Sequence, residues 1–368
     1  MPQVYTRAAF PEKWAATQNN LATTYYDRIR GDRGENLEQS IKCYELALQV
    51  RTRTAFPKDW AMTQNNLAVA YYDRIRGDRA ENVEQAIASY ELALEVRTRT
   101  AFPESWAETQ NNLALAYYDR IRGDRAENIE QAIAFYELAL QVYTRTAFPE
   151  KWAMTQNNLA LAYANRVRGD RAENLERASA SYELALQVYT RTAFPEKWAT
   201  TQNNLGTTYL NRIRGDRGEN LELSIASYEL ALQVRTCIAL PKDWAMTQNN
   251  LANAYANRIR GDRAESLEQT IMAYSSALEV RTRDAFPQQW ADTRNNLAGA
   301  YSMRIRGDRA ENIEQAIKSY ELALQVRTRT AFPEDWARTQ HNLAVTYSDR
   351  IRGDRAENIE RTIAGFVK

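Results

Sequence analysis

A single period runs through this chain. The eight tryptophans, Trp14, Trp60, Trp106, Trp152, Trp198, Trp244, Trp290 and Trp336, stand 46 residues apart. Pro11, Pro57, Pro103, Pro149, Pro195, Pro241, Pro287 and Pro333 keep the same step. Whole phrases recur with them, such as Thr63-Gln64-Asn65-Asn66-Leu67-Ala68 and Arg76-Gly77-Asp78-Arg79. With 368 residues, the chain exceeds the roughly 250–300 over which one hydrophobic core keeps growing. Repetition at a fixed period resolves this, because each unit can bury its apolar face against its neighbours. The copies carry no insertions, which leaves no room for a grafted loop or domain inside any of them.

Each unit reads as two helices. Pro57 suits the first position of helix A, where a missing N–H costs nothing. Helix A is expected to run to about Arg76, with Gly77 as its left-handed stop. Helix B carries Val83, Ile87, Tyr90, Leu94 and Val96 on one stripe and is expected to end near Arg99. Two caps for helix B are open, Asp78 with Glu81 or Asn82 with Gln85. The units are then 11–56, 57–102, 103–148, 149–194, 195–240, 241–286, 287–332 and 333–368, the last cut within helix B, and 1–368 is expected to form one solenoid.

These residues resemble the tetratricopeptide repeat. Leu67-Ala68 with Tyr71 matches that family's helix A pattern, and Ala86, Tyr90 and Ala93 match its helix B pattern. The ordinary unit has about 34 residues. Here the Tyr71-to-Ala86 gap and the end of helix B are each longer by six. The Asn-Asn-Leu-Ala segment and long helices look like the kinesin-light-chain type, and closer still like arrays of bacterial, especially cyanobacterial, proteins that carry CHAT peptidase or NB-ARC ATPase domains. The resemblance implies an all-α superhelix. It also implies a non-enzymatic scaffold that binds a protein or extended peptide, as the recognition arm of a larger signalling or defence system. A structural, self-assembling array and an RNA-binding array are the alternatives.

With about 100° per residue and Leu21 as origin, Trp14, Gln18, Ala22, Tyr25 and Ile29 form the expected buried stripe of helix A. The opposite sector holds Ala16, Asn19, Asn20, Thr23, Tyr26 and Asp27, the side that lines the concave groove in tetratricopeptide arrays. Three of its positions vary between copies. Ala16 becomes Met62, Glu108, Met154, Thr200, Met246, Asp292 and Arg338; Thr23 becomes Val69, Leu115, Leu161, Thr207, Asn253, Gly299 and Val345; Tyr26 becomes Tyr72, Tyr118, Ala164, Leu210, Ala256, Ser302 and Ser348. A tuned binding face and a merely exposed one both account for this.

Two asparagine columns in that sector do not vary. One is Asn19, Asn65, Asn111, Asn157, Asn203, Asn249 and Asn295, with His341 at its end; the other is Asn20, Asn66, Asn112, Asn158, Asn204, Asn250, Asn296 and Asn342. Asparagine is a poor helix former, and its amide both donates and accepts. One column reads as a ladder between repeats and the other as a clamp on a peptide backbone; resemblance to peptide-binding members favours the Asn20 column as the clamp. Asp27, Asp73 and Asp119 beside Tyr26, Tyr72 and Tyr118 suit basic ligand side chains, or else pair with arginines such as Arg28 and Arg30.

Other signals narrow the function. Lys plus Arg number 48 and Asp plus Glu 47, so no net field draws in nucleic acid or membrane. Arg28, Arg30 and Arg33 could form a basic ridge, but Asp32 and Glu35 interleave with them. Arg30-Gly31-Asp32 spells an adhesion tripeptide at a helix-ending turn that is copied with every unit. His341 is the only histidine, which rules out a histidine triad or His-based metal cluster, and phosphate-binding glycine motifs are missing; neither cofactor nor metal is expected. Cys43 and Cys237 read as free thiols of a reducing cytoplasm. No run is long and apolar enough to span a bilayer, and the first residues lack a signal-peptide pattern. The length is a whole number of periods: Lys368 aligns with Leu322, Met1 with Ala323, and Pro2 to Arg7 with the end of a helix B. Head-to-tail stacking of chains through Ile363 and Phe366 is one expectation from this, and fraying ends are the other.

Overall fold

A computed structural model describes residues 5–367. Its sixteen helices alternate as A and B members of eight helix-turn-helix units, and no strand occurs among the described residues. The A helices are α1 (Pro11–Asp27), α3 (Pro57–Tyr72), α5 (Pro103–Tyr118), α7 (Pro149–Ala164), α9 (Pro195–Asn211), α11 (Pro241–Ala256), α13 (Pro287–Met303) and α15 (Pro333–Ser348). The B helices are α2 (Arg33–Leu48), α4 (Arg79–Leu94), α6 (Arg125–Leu140), α8 (Arg171–Leu186), α10 (Arg217–Leu232), α12 (Arg263–Val280), α14 (Arg309–Leu324) and α16 (Arg355–Val367). The chain forms two compact units, Met1–Val188 and Tyr189–Lys368. In each, a B helix packs on its own A helix and on the next one, and successive A helices touch.

Proline opens every A helix at its first turn. The third helix then ends at Tyr72, four residues before the expected Arg76. Asn82 explains the early stop. Its side-chain amide donates to the carbonyls of Arg76 at 2.9 Å and Arg74 at 3.4 Å, holding that segment outside the helix. With Asn82 so used, Asp78 caps helix B by accepting from the Glu81 N–H at 2.8 Å. Gly77 takes φ +81°, the left-handed region open to glycine without strain. Helix B ends at Leu94 instead of near Arg99; from Thr98 onward the backbone turns, with the Thr98 hydroxyl accepting from Ala101 N–H.

The core lies between helices of one repeat and the next A helix. Ala68, Val83, Ala86, Ile87 and Tyr90 of one repeat meet Leu113 and Ala116 of the following one. Ile29, expected in this stripe, is 97% exposed. It lies beyond Asp27, where the helix has already ended, so the helical period no longer applies to it. Ile75, Ile121 and Ile305 are exposed for the same reason. The tryptophans are core or half-buried: Trp60 and Trp290 are buried, and Trp106 packs beside Ala107, Ala139 and Tyr143. Residues 2–4 of the segment read as the end of a helix B lie outside the described residues, as does Lys368; Arg7 donates to Gln49 in the manner of Arg99 to Gln141.

Candidate binding surface

The first asparagine column is spent inside the protein. Asn65 is only 3% exposed, and its Oδ1 lies 2.9 Å from the Thr109 hydroxyl on the next A helix. The same bond joins Thr63 to Asn19, Thr155 to Asn111, Thr247 to Asn203, Thr293 to Asn249 and Thr339 to Asn295. Each of these threonines except Thr155 in turn accepts from a guanidinium at the end of the preceding B helix: Arg51, Arg97, Arg235, Arg281 or Arg327. Burial pushes the Arg97, Arg235 and Arg281 guanidinium groups below their usual range. Before Thr155 the place of the arginine is taken by the buried Tyr143. The helical-wheel sector put Asn19 beside Asn20; the close approach of the next A helix separates them by covering the first alone. Asn157 is half-buried. His341, at the end of this column, is exposed, with its ring centroid 5.4 Å from that of Phe366 and the two planes tilted by 53°.

The second column is half-exposed. Asn66, Asn112 and Asn158 each accept at Oδ1 from the preceding asparagine at 3.4 Å, and Asn204 does so at 3.3 Å. Their side-chain N–H groups donate to no partner among the described residues. Asn250 donates to Asn203 at 3.3 Å, and Asn296 accepts from Asn295 at 3.2 Å. Asn20 is exposed and Asn342 half-buried.

The tyrosine and aspartate columns interlock within the first unit. Tyr26 donates to Asp73 and Tyr72 to Asp119, while Tyr118 accepts from Asn165 at 2.9 Å. Arg33, Arg79 and Arg125 cover the three rings at 4.8, 4.7 and 4.9 Å and also donate to the carbonyls of Tyr26, Tyr72 and Tyr118. The ring faces that could receive a ligand cation thus already carry the chain's own. Burial, the hydrogen bond to Asp73 and its charge raise the Tyr26 hydroxyl well above its usual range; Tyr72 is raised by the same causes, with Asp119 as its partner. Asp27 remains exposed.

Sequence reasoning missed two arrangements. The Thr23 column is partly turned inward: Thr23 and Thr207 lie 3.0 Å from the hydroxyls of Tyr44 and Tyr228, and Tyr274 donates to Asn253 at 2.5 Å. A threonine or asparagine exactly 21 residues before a buried tyrosine was the available signal. The supposed basic ridge is a set of inter-repeat ion pairs. Arg74 grips Glu38 in two bonds of 2.7 Å, and Arg120, Arg166, Arg258, Arg304 and Arg350 grip Glu84, Glu130, Glu222, Glu268 and Glu314 alike. Arg76 bridges to Glu35 and Asp32. Each glutamate of the two-bond pairs lies 36 residues before its arginine, and Glu35 lies 41 before Arg76, spacings visible in the sequence once helix B is aligned on the next repeat.

No group of His, Cys, Asp or Glu among the described residues is arranged to hold a metal ion, both cysteines are free thiols, and no helix is long and apolar enough to cross a membrane. A sequence profile described as tetratricopeptide repeat matches residues 14–53, 60–99, 106–145, 244–274, 290–329 and 336–365, more than half of the chain. The chain belongs to the tetratricopeptide repeat family. No curated protein matches it in sequence. Among solved structures, this tetratricopeptide chain is similar to the C-terminal part of a TPR repeat-containing protein from Cytophaga hutchinsonii, with TM-score 0.48 and 11% identity over 94% of this chain and 99% of that one. It is also similar to a chain of the APC/C hetero-tetramer Cut9-Hcn1, with TM-score 0.49 and 14% identity over 88% of this chain and 54% of that one. A third likeness is to the Rap conjugation gene regulator of plasmid pLS20 in complex with the Phr* peptide, with TM-score 0.38 and 14% identity over 95% and 94% of the two chains.

Proposed function

We propose that this tetratricopeptide array is a protein-interaction scaffold that holds an extended partner segment on its A-helix face. The carrying observation is the unspent amide donors of Asn66, Asn112 and Asn158, one per repeat on successive A helices, beside Asn65, Asn111 and Asn157, whose amide donors are spent on them. A backbone carbonyl of a bound peptide is the acceptor such a donor fits, whatever side chain follows it. Met62, Glu108 and Met154 flank the column and differ from repeat to repeat, supplying selection among partners. Asp73 and Asp119 retain lone pairs beyond their tyrosine bonds and favour a basic side chain on the ligand. The repeat's likeness to bacterial CHAT- and NB-ARC-linked arrays supports a role as the recognition arm of such a cytoplasmic system.

Selection of a displayed peptide library on the purified chain, followed by calorimetric titration of the enriched peptide, tests this. Asn112→Ala and Asn158→Ala are each expected to weaken that peptide by about 2- to 13-fold, the equivalent of one net hydrogen bond. Unchanged affinity in both variants, or enrichment of nothing, would contradict it.

A further inference from the structure

In five copies of the repeat a B-helix glutamate accepts from a tyrosine hydroxyl on the next A helix. Tyr71 donates to Glu45 at 2.6 Å, Tyr117 to Glu91 at 3.1 Å, Tyr163 to Glu137 at 2.6 Å, Tyr255 to Glu229 at 2.7 Å and Tyr347 to Glu321 at 2.8 Å. The sixth copy breaks this pattern where it meets the seventh. Ser275 stands where those copies have glutamate, and its hydroxyl turns back to the Ile271 carbonyl at 2.7 Å. Tyr301, the partner on α13, is left with no hydrogen bond to its hydroxyl among the described residues. Two turns earlier on the same helix, Arg294 stands where the other seven copies have glutamine. Its Nε is buried without a hydrogen-bond partner, and its guanidinium lies 5.6 Å over the Trp290 ring.

These departures meet in one pocket. An open cavity of about 280 Å³ between α12, α13 and α14 is lined by Ser275, Arg294 and Tyr301, with Lys318 on α14 and leucines such as Leu278 and Leu297. Its lining contains two cations and no carboxylate. Relative to its sister repeats the pocket has lost an acid and gained a base. The tyrosine that elsewhere holds an internal glutamate remains, and the glutamate is gone. An unpaired, partly buried guanidinium is costly to leave without an anion, and its planar fork matches a carboxylate.

We infer that this pocket is a carboxylate-binding site, in which the acid of a ligand takes the place of the missing glutamate between Tyr301 and Arg294, with Lys318 at the mouth and the leucines receiving an adjoining apolar group. The acid is the side chain of a partner's glutamate or a small free carboxylate. The site is distinct from the asparagine columns and does not rest on the reading of the A-helix face.

The test is calorimetric titration of the full chain with three probes: an N-acetylated, C-amidated Ala-Leu-Glu-Leu-Ala peptide, its glutamine twin, and free glutarate. At least one acid is expected to bind, and the glutamate peptide to outbind its twin by tenfold or more if the source is a side chain. Saturation by glutarate alone identifies a small carboxylate as sufficient. Ser275→Glu and Arg294→Gln both restore the pattern of the sister repeats, so both are expected to fold, with the melting temperature kept or raised. Each is expected to lower acid binding at least tenfold, whereas Lys42→Ala, at the exposed first-repeat counterpart of Lys318, leaves it unchanged. Binding of neither acid, or acid binding that survives both Ser275→Glu and Arg294→Gln, overturns the assignment.

Discussion

The hydroxyl of Thr109 lies 2.9 Å from Oδ1 of Asn65, a residue 44 positions earlier on the preceding A helix. The one hydroxyl proton is shared with the Ser105 carbonyl, also 2.9 Å away, while Arg97 donates to the same oxygen. The contact thus couples three consecutive elements, and both side chains are buried. Removing one partner strands the others without water. Asn65→Ala is expected to cost about 1–3 kcal/mol, read as a shift in the urea midpoint. A cost near zero would mean that the ladder is incidental.

Trp106 packs against Ala107, Ala139 and Tyr143 at the junction of its repeat with the next. Because it is half-buried, its loss should fall at the low end of large-to-small core changes. Trp106→Ala is expected to destabilise by about 3 kcal/mol. Solenoid stability sums unit and interface terms, so denaturation of this variant should broaden as its neighbours uncouple. A transition as sharp as the parent's would exclude the interface role.

Gly123 holds φ +81° in the turn between α5 and α6. An added Cβ would meet only the Asn128 and Arg120 side chains, none closer than 3.7 Å. Backbone conformation, not crowding, is therefore what Gly123→Ala changes. The expected cost is about 1–2 kcal/mol, measured by chemical denaturation, with the helical circular dichroism retained.

Acidification should weaken the array through its ion pairs. The hydrogen bonds and charge of Arg120 hold the Glu84 carboxyl below its usual range, and Arg304 does the same for Glu268. A carboxyl depressed on folding contributes stability that is present above its unfolded pKa and is lost as pH falls through the folded one. The melting temperature is expected to hold near neutrality and to fall below about pH 4.3, the ordinary glutamate value. Glu84→Gln should lower stability at pH 7 by about 1 kcal/mol and flatten the acid limb. An unchanged limb in that variant would remove the Glu84–Arg120 pair from the account.

Much of this architecture was legible before any coordinates. The spacing of Pro57, Gly77 and Trp60 gave the repeat, the first turn of helix A and a left-handed glycine between the two helices, because those residues act through local backbone constraints; the stop of helix A itself lies earlier, at Tyr72. The early end at Tyr72 was not legible, since it depends on Asn82 reaching back across the turn. The two asparagine columns looked alike for a related reason. A helical wheel places Asn65 and Asn66 on one side of a single helix, and only the neighbouring helix distinguishes them. Ser275 stood out as a departure from the repeat, whereas its convergence with Arg294 required three helices to be in place.

The central claim is that adjacent asparagines divide the work, Asn111 holding the array together and Asn112 holding the partner. It is tested most directly by measuring thermal stability and affinity for a library-selected peptide side by side in Asn111→Ala and Asn112→Ala. The account predicts that Asn111→Ala loses about 1–3 kcal/mol of stability, and that Asn112→Ala melts close to the parent while binding the peptide about 2- to 13-fold more weakly. Destabilisation by Asn112→Ala with unchanged affinity per folded molecule would contradict it.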